Sequence, residues 1–212
     1  MLNELREYGV VPVIAVETPE IGLHICEALL EGGLPVAEIT FRTMAAAETI
    51  SQAAKRFPEL ILGAGTVLTR DQMMQAVDAG AKFAVAPGCN PHVIEAAKAC
   101  GMFFGPGVCT PSDIERAAEL GCKFMKFFPA EASGGVKMLK ALLGPYGHLG
   151  ISFCPTGGVT TSNLADYLAI PQVAFVGGTW IAPKDVVKAG DWKVISQKAS
   201  EALAAVRALR NA

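Results

Sequence analysis

Thr110-Pro-Ser-Asp-Ile-Glu-Arg-Ala-Ala-Glu-Leu-Gly-Cys-Lys-Phe-Met-Lys-Phe-Phe-Pro-Ala-Glu131 carries one full period of the pattern that organises this chain. Thr110 ahead of Pro111 supplies a capping side chain before a proline at the first helical position. An Ala/Leu/Glu-rich helical pattern fits residues 111–120, and a short apolar run of strand length follows at 122–127. Inside that run stands Lys126, in a segment that reads as buried. Burial penalises the ammonium form, and an apolar pocket makes the neutral amine available as a nucleophile for a ketone carbonyl. The competing reading is a strand-end lysine whose stem packs on apolar neighbours while its head reaches water.

The same period recurs along the chain. Strand-like runs lie at 11–16, 36–40, 60–64, 83–86, 102–105, 122–127, 151–154 and 173–176, each closed by Gly, Pro or Thr. Helical patterns fit 19–31, 45–57, 70–79, 91–99, 111–120, 136–143, 162–168 and 191–209. Thr18-Pro19 and Asn90-Pro91 repeat the cap-then-proline signal of Thr110-Pro111. Strict alternation predicts a parallel sheet, and eight units predict a small (β/α)8 TIM barrel: one domain over 1–212, with a short amphipathic helix at its N-terminus. An open doubly wound sheet is the runner-up, disfavoured by the strand count and by the lack of G-x-G-x-x-G after the first strand.

Composition narrows the function classes. Hydrophobic residues make up 51% and charged residues 18%, which excludes a disordered chain. The net charge is −2 with no basic run, so nucleic acid has no electrostatic footprint. Apolar stretches are strand-sized and interrupted, so no membrane span is expected, and the N-terminus lacks a signal-peptide profile. Six cysteines without a CxxC pair read as reduced thiols of a cytoplasmic protein. Three scattered histidines share no ligand spacing, so neither a metal site nor another cofactor is expected.

Strand parity then sorts the interior. In Val36-Ala-Glu-Ile-Thr-Phe-Arg42, Ala37, Ile39 and Phe41 face the helices, while Glu38, Thr40 and Arg42 point to the barrel interior or its mouth. The sixth strand places Phe124, Lys126 and Phe128 inward by the same rule. A carboxylate, a guanidinium and an amine therefore converge. A structural reading makes this a Glu38–Arg42 ion pair with Lys126 as a bystander. The chemical reading assigns Lys126 a Schiff base with a 2-oxo acid and Glu38 the general acid/base work. Arg42 takes the substrate carboxylate, with the Thr66 hydroxyl beside it. Pro155-Thr-Gly-Gly158 and Val176-Gly-Gly-Thr-Trp180 close the last two strands, where paired glycines expose backbone N–H groups suited to an anion.

Together these stretches resemble the 2-keto-3-deoxy-6-phosphogluconate (KDPG) / 4-hydroxy-2-oxoglutarate (KHG) aldolase family of class I pyruvate aldolases. Glu38-Ile-Thr-Phe-Arg-Thr43, Gly63-Ala-Gly-Thr-Val67, Lys126-Phe-Phe-Pro-Ala-Glu131 and Cys154-Pro-Thr-Gly-Gly158 carry the resemblance, which runs nearly end to end. It implies a metal-free (β/α)8 barrel, typically a homotrimer, acting on a small 2-oxo acid or sugar phosphate. It implies Lys126 as the Schiff-base lysine, Glu38 as general acid/base, and Arg42 and Thr66 as carboxylate contacts. Pro87 and Phe128 would shape the pyruvate pocket and Thr156 would meet the hydroxyl-bearing chain. Gly157, Gly158, Gly178 and Thr179 would hold the distal phosphate. The implied reaction is reversible cleavage of the phosphorylated substrate to pyruvate and glyceraldehyde 3-phosphate, or of the shorter one to pyruvate and glyoxylate. Many members carry Ser where this chain has Thr179. A phosphosugar isomerase or synthase barrel, and a non-catalytic phosphosugar-binding oligomer, are the rival functions.

Overall fold

The computed structural model describes residues 1–210. Helix α1 (Leu2–Tyr8) leads into β1 (Val10–Ile14), α2 (Pro19–Glu31), β2 (Val36–Thr40), α3 (Ala46–Arg56), β3 (Ile61–Gly65), α4 (Arg70–Asp78), β4 (Phe83–Val85) and α5 (Pro91–Ala99). Then come β5 (Phe103–Gly105), β6 (Gly107–Val108), α6 (Pro111–Glu119), β7 (Phe124–Phe127), α7 (Gly135–Tyr146) and β8 (Ser152–Pro155). The chain ends through α8 (Leu164–Leu168), β9 (Val176–Gly178), α9 (Lys184–Ala189) and α10 (Trp192–Arg210).

Every ladder is parallel. Strands β5-β4-β3-β2-β1-β9 form one sheet and β6-β7-β8 a second. Pro106 stands between β5 and β6. With no N–H it cannot donate to a ladder, so the predicted fifth strand ends early and a two-residue strand resumes beyond it. Its carbonyl still accepts the Lys126 N–H at 2.8 Å, which ties the two sheets at that point. At the other edge, single parallel bridges join Phe153 to Val173 and Thr156 to Gly177. The α/β alternation and parallel strands are as expected, whereas the hydrogen-bonded ladders describe an arc of six strands and a ribbon of three rather than one ring of eight.

Two further expectations need correction. The last strand was placed at 173–176 but runs Val176–Gly178. Val173 makes a single bridge to Phe153, and continuous pairing with β1 begins where Val176 meets Val10 and ends where Gly178 meets Pro12. The sequence reads Gly177 and Gly178 as backbone donors at a strand end, and the structure shows that they are also needed for close approach. A Cβ on Gly177 would fall 2.3 Å from Thr156 Oγ1, and one on Gly178 1.9 Å from the Trp180 ring. The helix expected at 162–168 starts only at Leu164, because the Asn163 side chain is spent accepting the Thr160 N–H at 2.8 Å. Helix α9, between Pro183 and Gly190, was not anticipated.

The cap signals hold as read. The Thr18 side chain accepts from the Ile21 N–H and Asn90 from His92, each with Pro at the helix start, and Thr110 with Asp113 forms a reciprocal capping box. Strands β1, β2, β4 and β7 are buried along their whole length. Below the strand ends the interior is filled by aromatic rings: Phe124 stacks on Phe103 at 5.0 Å and leans on Phe175 at 5.4 Å. Phe83 fills the space left by the missing side chain of Gly63. Among the described residues no helix is long and apolar enough to cross a membrane.

The filled interior makes a testable contrast. A Cβ on Gly63 would sit 2.1 Å from the Phe83 ring, whereas one on Gly144, inside α7, meets nothing within 4 Å. Gly63→Ala should lower the unfolding free energy in urea by about 1–3 kcal/mol, the scale of overpacking. Gly144→Ala should change it by no more than about 0.5 kcal/mol, because the gain in helix propensity is offset by Pro145, which disfavours a side chain on the preceding helical residue.

Candidate active site

Strands β2 and β7 carry the two ionisable groups at the centre. Period-2 alternation puts Ala37 and Ile39 against the helix layer and turns Glu38 and Thr40 inward, both about 1% exposed. On β7, Met125 and Phe127 are fully buried on the helix side, and Lys126 faces in at 5% exposure. Lys126 Nζ donates to Glu38 Oε1 at 3.0 Å. The lysine head is therefore held in the interior against a carboxylate and is not spread into bulk solvent, which removes the strand-end reading. The alternative Glu38–Arg42 ion pair is also replaced: the carboxylate pairs with Lys126.

Space for this pair is set by glycine. A Cβ on Gly65, on the neighbouring β3, would fall 2.1 Å from Glu38 Oε1. The Phe128 ring faces the ammonium, with Nζ 5.8 Å from its centroid. Cys154 lies beside Lys126 in the β7–β8 register, fully enclosed, and burial pushes its thiol up to about 12. Its Sγ lies 3.5 Å from Thr156 Oγ1. A thiol held that high stays protonated and is no competing nucleophile next to the amine.

Above the pair opens a cavity of about 220 Å³. Its wall includes Lys126, Glu38, Arg42, Thr66, Pro87 and Phe128, together with Thr156, Gly157, Gly158 and Thr179. Of the residues singled out in the sequence, Gly178 alone is not in the wall. The β1–β9 register pairs Gly177 with Val11, on the interior-facing parity, so Gly177 lines the cavity while Gly178 lies under the Trp180 ring.

Arg42 lies at the mouth and is exposed. Its Nε donates to Thr40 Oγ1 at 3.1 Å, and Thr40 donates in turn to the Ile14 carbonyl at 2.9 Å. This leaves the terminal guanidinium nitrogens free to face the cavity in a fork suited to a carboxylate. Thr40 was seen to point inward but received no task from the sequence. Its inward parity and its place two residues before an arginine were the available signals. Thr66 holds φ 56, the one non-glycine residue with positive φ among those described. A β-branched residue there is strained by about 1–3 kcal/mol, a cost that clusters at binding sites.

At the far wall, Gly157 and Gly158 adopt φ 98 and 80, which presents their backbone to the cavity. Thr179, exposed at the rim, adds a hydroxyl. The arrangement thus has a paired amine and carboxylate in an apolar floor, a guanidinium at one side and a glycine-rich rim at the other. It fits a nucleophilic amine acting on a small carbonyl compound with anionic ends. Among the described residues no group of three or more His, Cys, Asp or Glu could hold a metal ion.

Comparison with known proteins agrees with this geometry. A family model for KDPG and KHG aldolase matches residues 1–198. The 2-dehydro-3-deoxy-phosphogluconate aldolase of Haemophilus influenzae is 44% identical over 203 residues, covering 96% of this chain and 95% of that protein. The KHG/KDPG aldolase of Escherichia coli K12 is 43% identical over 194 residues, covering 92% and 90%. Among solved structures, the KDPG aldolase of Legionella pneumophila, with pyruvate captured as a covalent carbinolamine, superposes with a TM-score of 0.89 at 37% identity, covering 95% of this chain and 97% of that one. The chain belongs to the KDPG and KHG aldolase family.

Proposed function

We propose that this protein is a class I aldolase that reversibly cleaves 2-dehydro-3-deoxy-6-phosphogluconate to pyruvate and glyceraldehyde 3-phosphate, and 4-hydroxy-2-oxoglutarate to pyruvate and glyoxylate. The observation that carries this is the buried Lys126–Glu38 pair, 3.0 Å apart at the base of a cavity that a small 2-oxo acid can enter. The carbinolamine held by the Legionella pneumophila relative supports the amine chemistry.

In this mechanism Lys126 passes its proton to Glu38 and attacks the ketone carbon. The carbinolamine takes up a proton and loses water, leaving a cationic iminium. Glu38 then removes the proton of the hydroxyl on the β-carbon. The bond between the α- and β-carbons breaks, its electron pair moves into the iminium as an enamine, and the aldehyde departs. Glu38 returns the proton to the α-carbon, and water hydrolyses the imine to release pyruvate. Arg42 with Thr66 holds the carboxylate, Pro87 and Phe128 bound the methylene end, and Thr156 receives the hydroxyl-bearing chain. Backbone N–H groups at Gly157, Gly158 and Gly177, with Thr179, take the phosphate at the rim.

The arc β5-β4-β3-β2-β1-β9 and the ribbon β6-β7-β8 are read as parts of one (β/α)8 barrel, supported by the shared residue Pro106 on one side and the Thr156–Gly177 bridge on the other. A homotrimer is the proposed working form. Support comes from large apolar side chains left in water, Met44 at 98% exposure with Leu68 and Met74 about half exposed. The six free thiols support a reducing, cytoplasmic setting.

Two outcomes test the reading. The purified protein, with chelator present, should release pyruvate from both substrates, and Glu38→Gln should lower turnover by roughly 10²–10⁴-fold while imine formation with pyruvate persists. Turnover within a few-fold of wild type would make Glu38 a structural partner of Lys126. Light scattering on the eluted protein should give about three times the chain mass of 22.2 kDa; a monomer would contradict the trimer.

A further inference from the structure

Glu131 ends the stretch Lys126-Phe-Phe-Pro-Ala-Glu131, yet neither it nor Tyr167 reaches the cavity. Both bear on the glycine-rich rim from behind. The Ala130 N–H donates to the Thr156 carbonyl at 2.8 Å and the Glu131 N–H to the Gly157 carbonyl at 3.0 Å. On the opposite side Asn163 Nδ2 donates to the Gly158 carbonyl at 3.2 Å. All three carbonyls of residues 156–158 are thus engaged by donors from residues outside the cavity wall.

The Glu131 side chain completes the clamp. Its stem lies against Gly158 so closely that a Cβ there would fall 2.6 Å from Glu131 Cβ and 2.7 Å from Cγ. Its carboxylate then accepts the hydroxyl of Tyr167, a fully buried ring on α8. Gly135 leaves room for this bond: a Cβ there would lie 2.9 Å from Glu131 Oε1 and 3.4 Å from the Tyr167 hydroxyl. Two physical consequences follow. Glu131 is otherwise exposed and free to sample rotamers, and the phenol fixes one of them, so the stem becomes a fixed stop behind Gly158. A carboxylate left loose one residue from the rim would also oppose an incoming anion, and the bond holds it against α8 instead.

We propose that Glu131 and Tyr167 are positioning residues of the anion cradle: they fix the backbone of Gly157 and Gly158 from outside and so set affinity for the phosphorylated end of the substrate without touching it. This rests on the phosphate assignment made above. The remote position has a specific consequence. The unphosphorylated substrate ends in a carboxylate directly beyond the hydroxyl-bearing carbon, short of where a phosphate on the sixth carbon reaches, so loss of the clamp should separate the two substrates instead of slowing both.

The experiment compares kcat and KM for 2-dehydro-3-deoxy-6-phosphogluconate and 4-hydroxy-2-oxoglutarate in wild type, Tyr167→Phe and Glu131→Gln. Tyr167→Phe should lower kcat/KM for the phosphorylated substrate about tenfold, mainly through KM, the scale of one misplaced charge-assisted bond. The unphosphorylated substrate should stay within about twofold, which also shows that the variant is folded. Glu131→Gln keeps the stem on Gly158 and an acceptor for the phenol, so its loss should be smaller. Equal losses on both substrates, or none on either in Tyr167→Phe, would overturn the proposal. A wild type without preference for the phosphorylated substrate would remove the phosphate assignment itself, a failure visible before any substitution is made.

Discussion

The contact on which the structure turns is the 3.0 Å ion pair between Lys126 and Glu38, both almost wholly buried. Withdrawing two charges from water costs several kcal/mol per ion, and mutual attraction recovers this only when the geometry is good and nothing crowds the partners. Much of the surrounding architecture meets that demand. Gly65 leaves the carboxylate its space, Phe128 offers the ammonium a ring face, and the aromatic layer of Phe103, Phe124 and Phe175 closes the interior below. Buried ion pairs of this kind are often no more stabilising than a well-packed apolar pair of the same volume. What the ion pair adds is an amine and a carboxylate in direct contact, next to a cavity of about 220 Å³.

Function is laid out around that pair by the direction of the strands. All of them run parallel, so their C-terminal ends share one face, and residues in or just beyond seven of them line a single cavity. Each end contributes one kind of chemistry: amine and carboxylate at the base, the guanidinium beyond β2, the strained Thr66 beyond β3, and the glycine rim beyond β8 and β9. Arg42 illustrates how a long, exposed side chain is made usable. Thr40 takes its Nε hydrogen bond and hands the order on to the Ile14 carbonyl, so the guanidinium needs less ordering when a carboxylate arrives.

Much of this was legible before any coordinates. Parity along a strand has a period of two, so once 36–42 and 122–127 are read as strands, the inward placement of Glu38, Thr40 and Lys126 follows from counting. Helix starts were equally legible, because a capping side chain before proline acts within one turn. What escaped depended on partners far away in the chain. Nothing local says that Lys126 and not Arg42 wins Glu38, since that choice is made by which strands face each other across the interior. The break at Pro106 follows from its missing N–H, but which strand each fragment would join does not. Gly177 and Gly178 read as backbone donors beyond the last strand, whereas both lie inside β9 and are glycine because Thr156 and Trp180 come close. The bond between Glu131 and Tyr167 spans 36 positions, and although Glu131 closes a stretch singled out in sequence, nothing local names Tyr167 as its partner.

The central claim is that the buried amine of Lys126, and no other, forms the covalent bond to substrate. Intact mass after incubation with pyruvate and borohydride, followed by peptide mapping, tests it most directly. The account predicts one reduced pyruvyl adduct per chain, located on Lys126. No adduct, or an adduct on the nearby exposed Lys123, would contradict it.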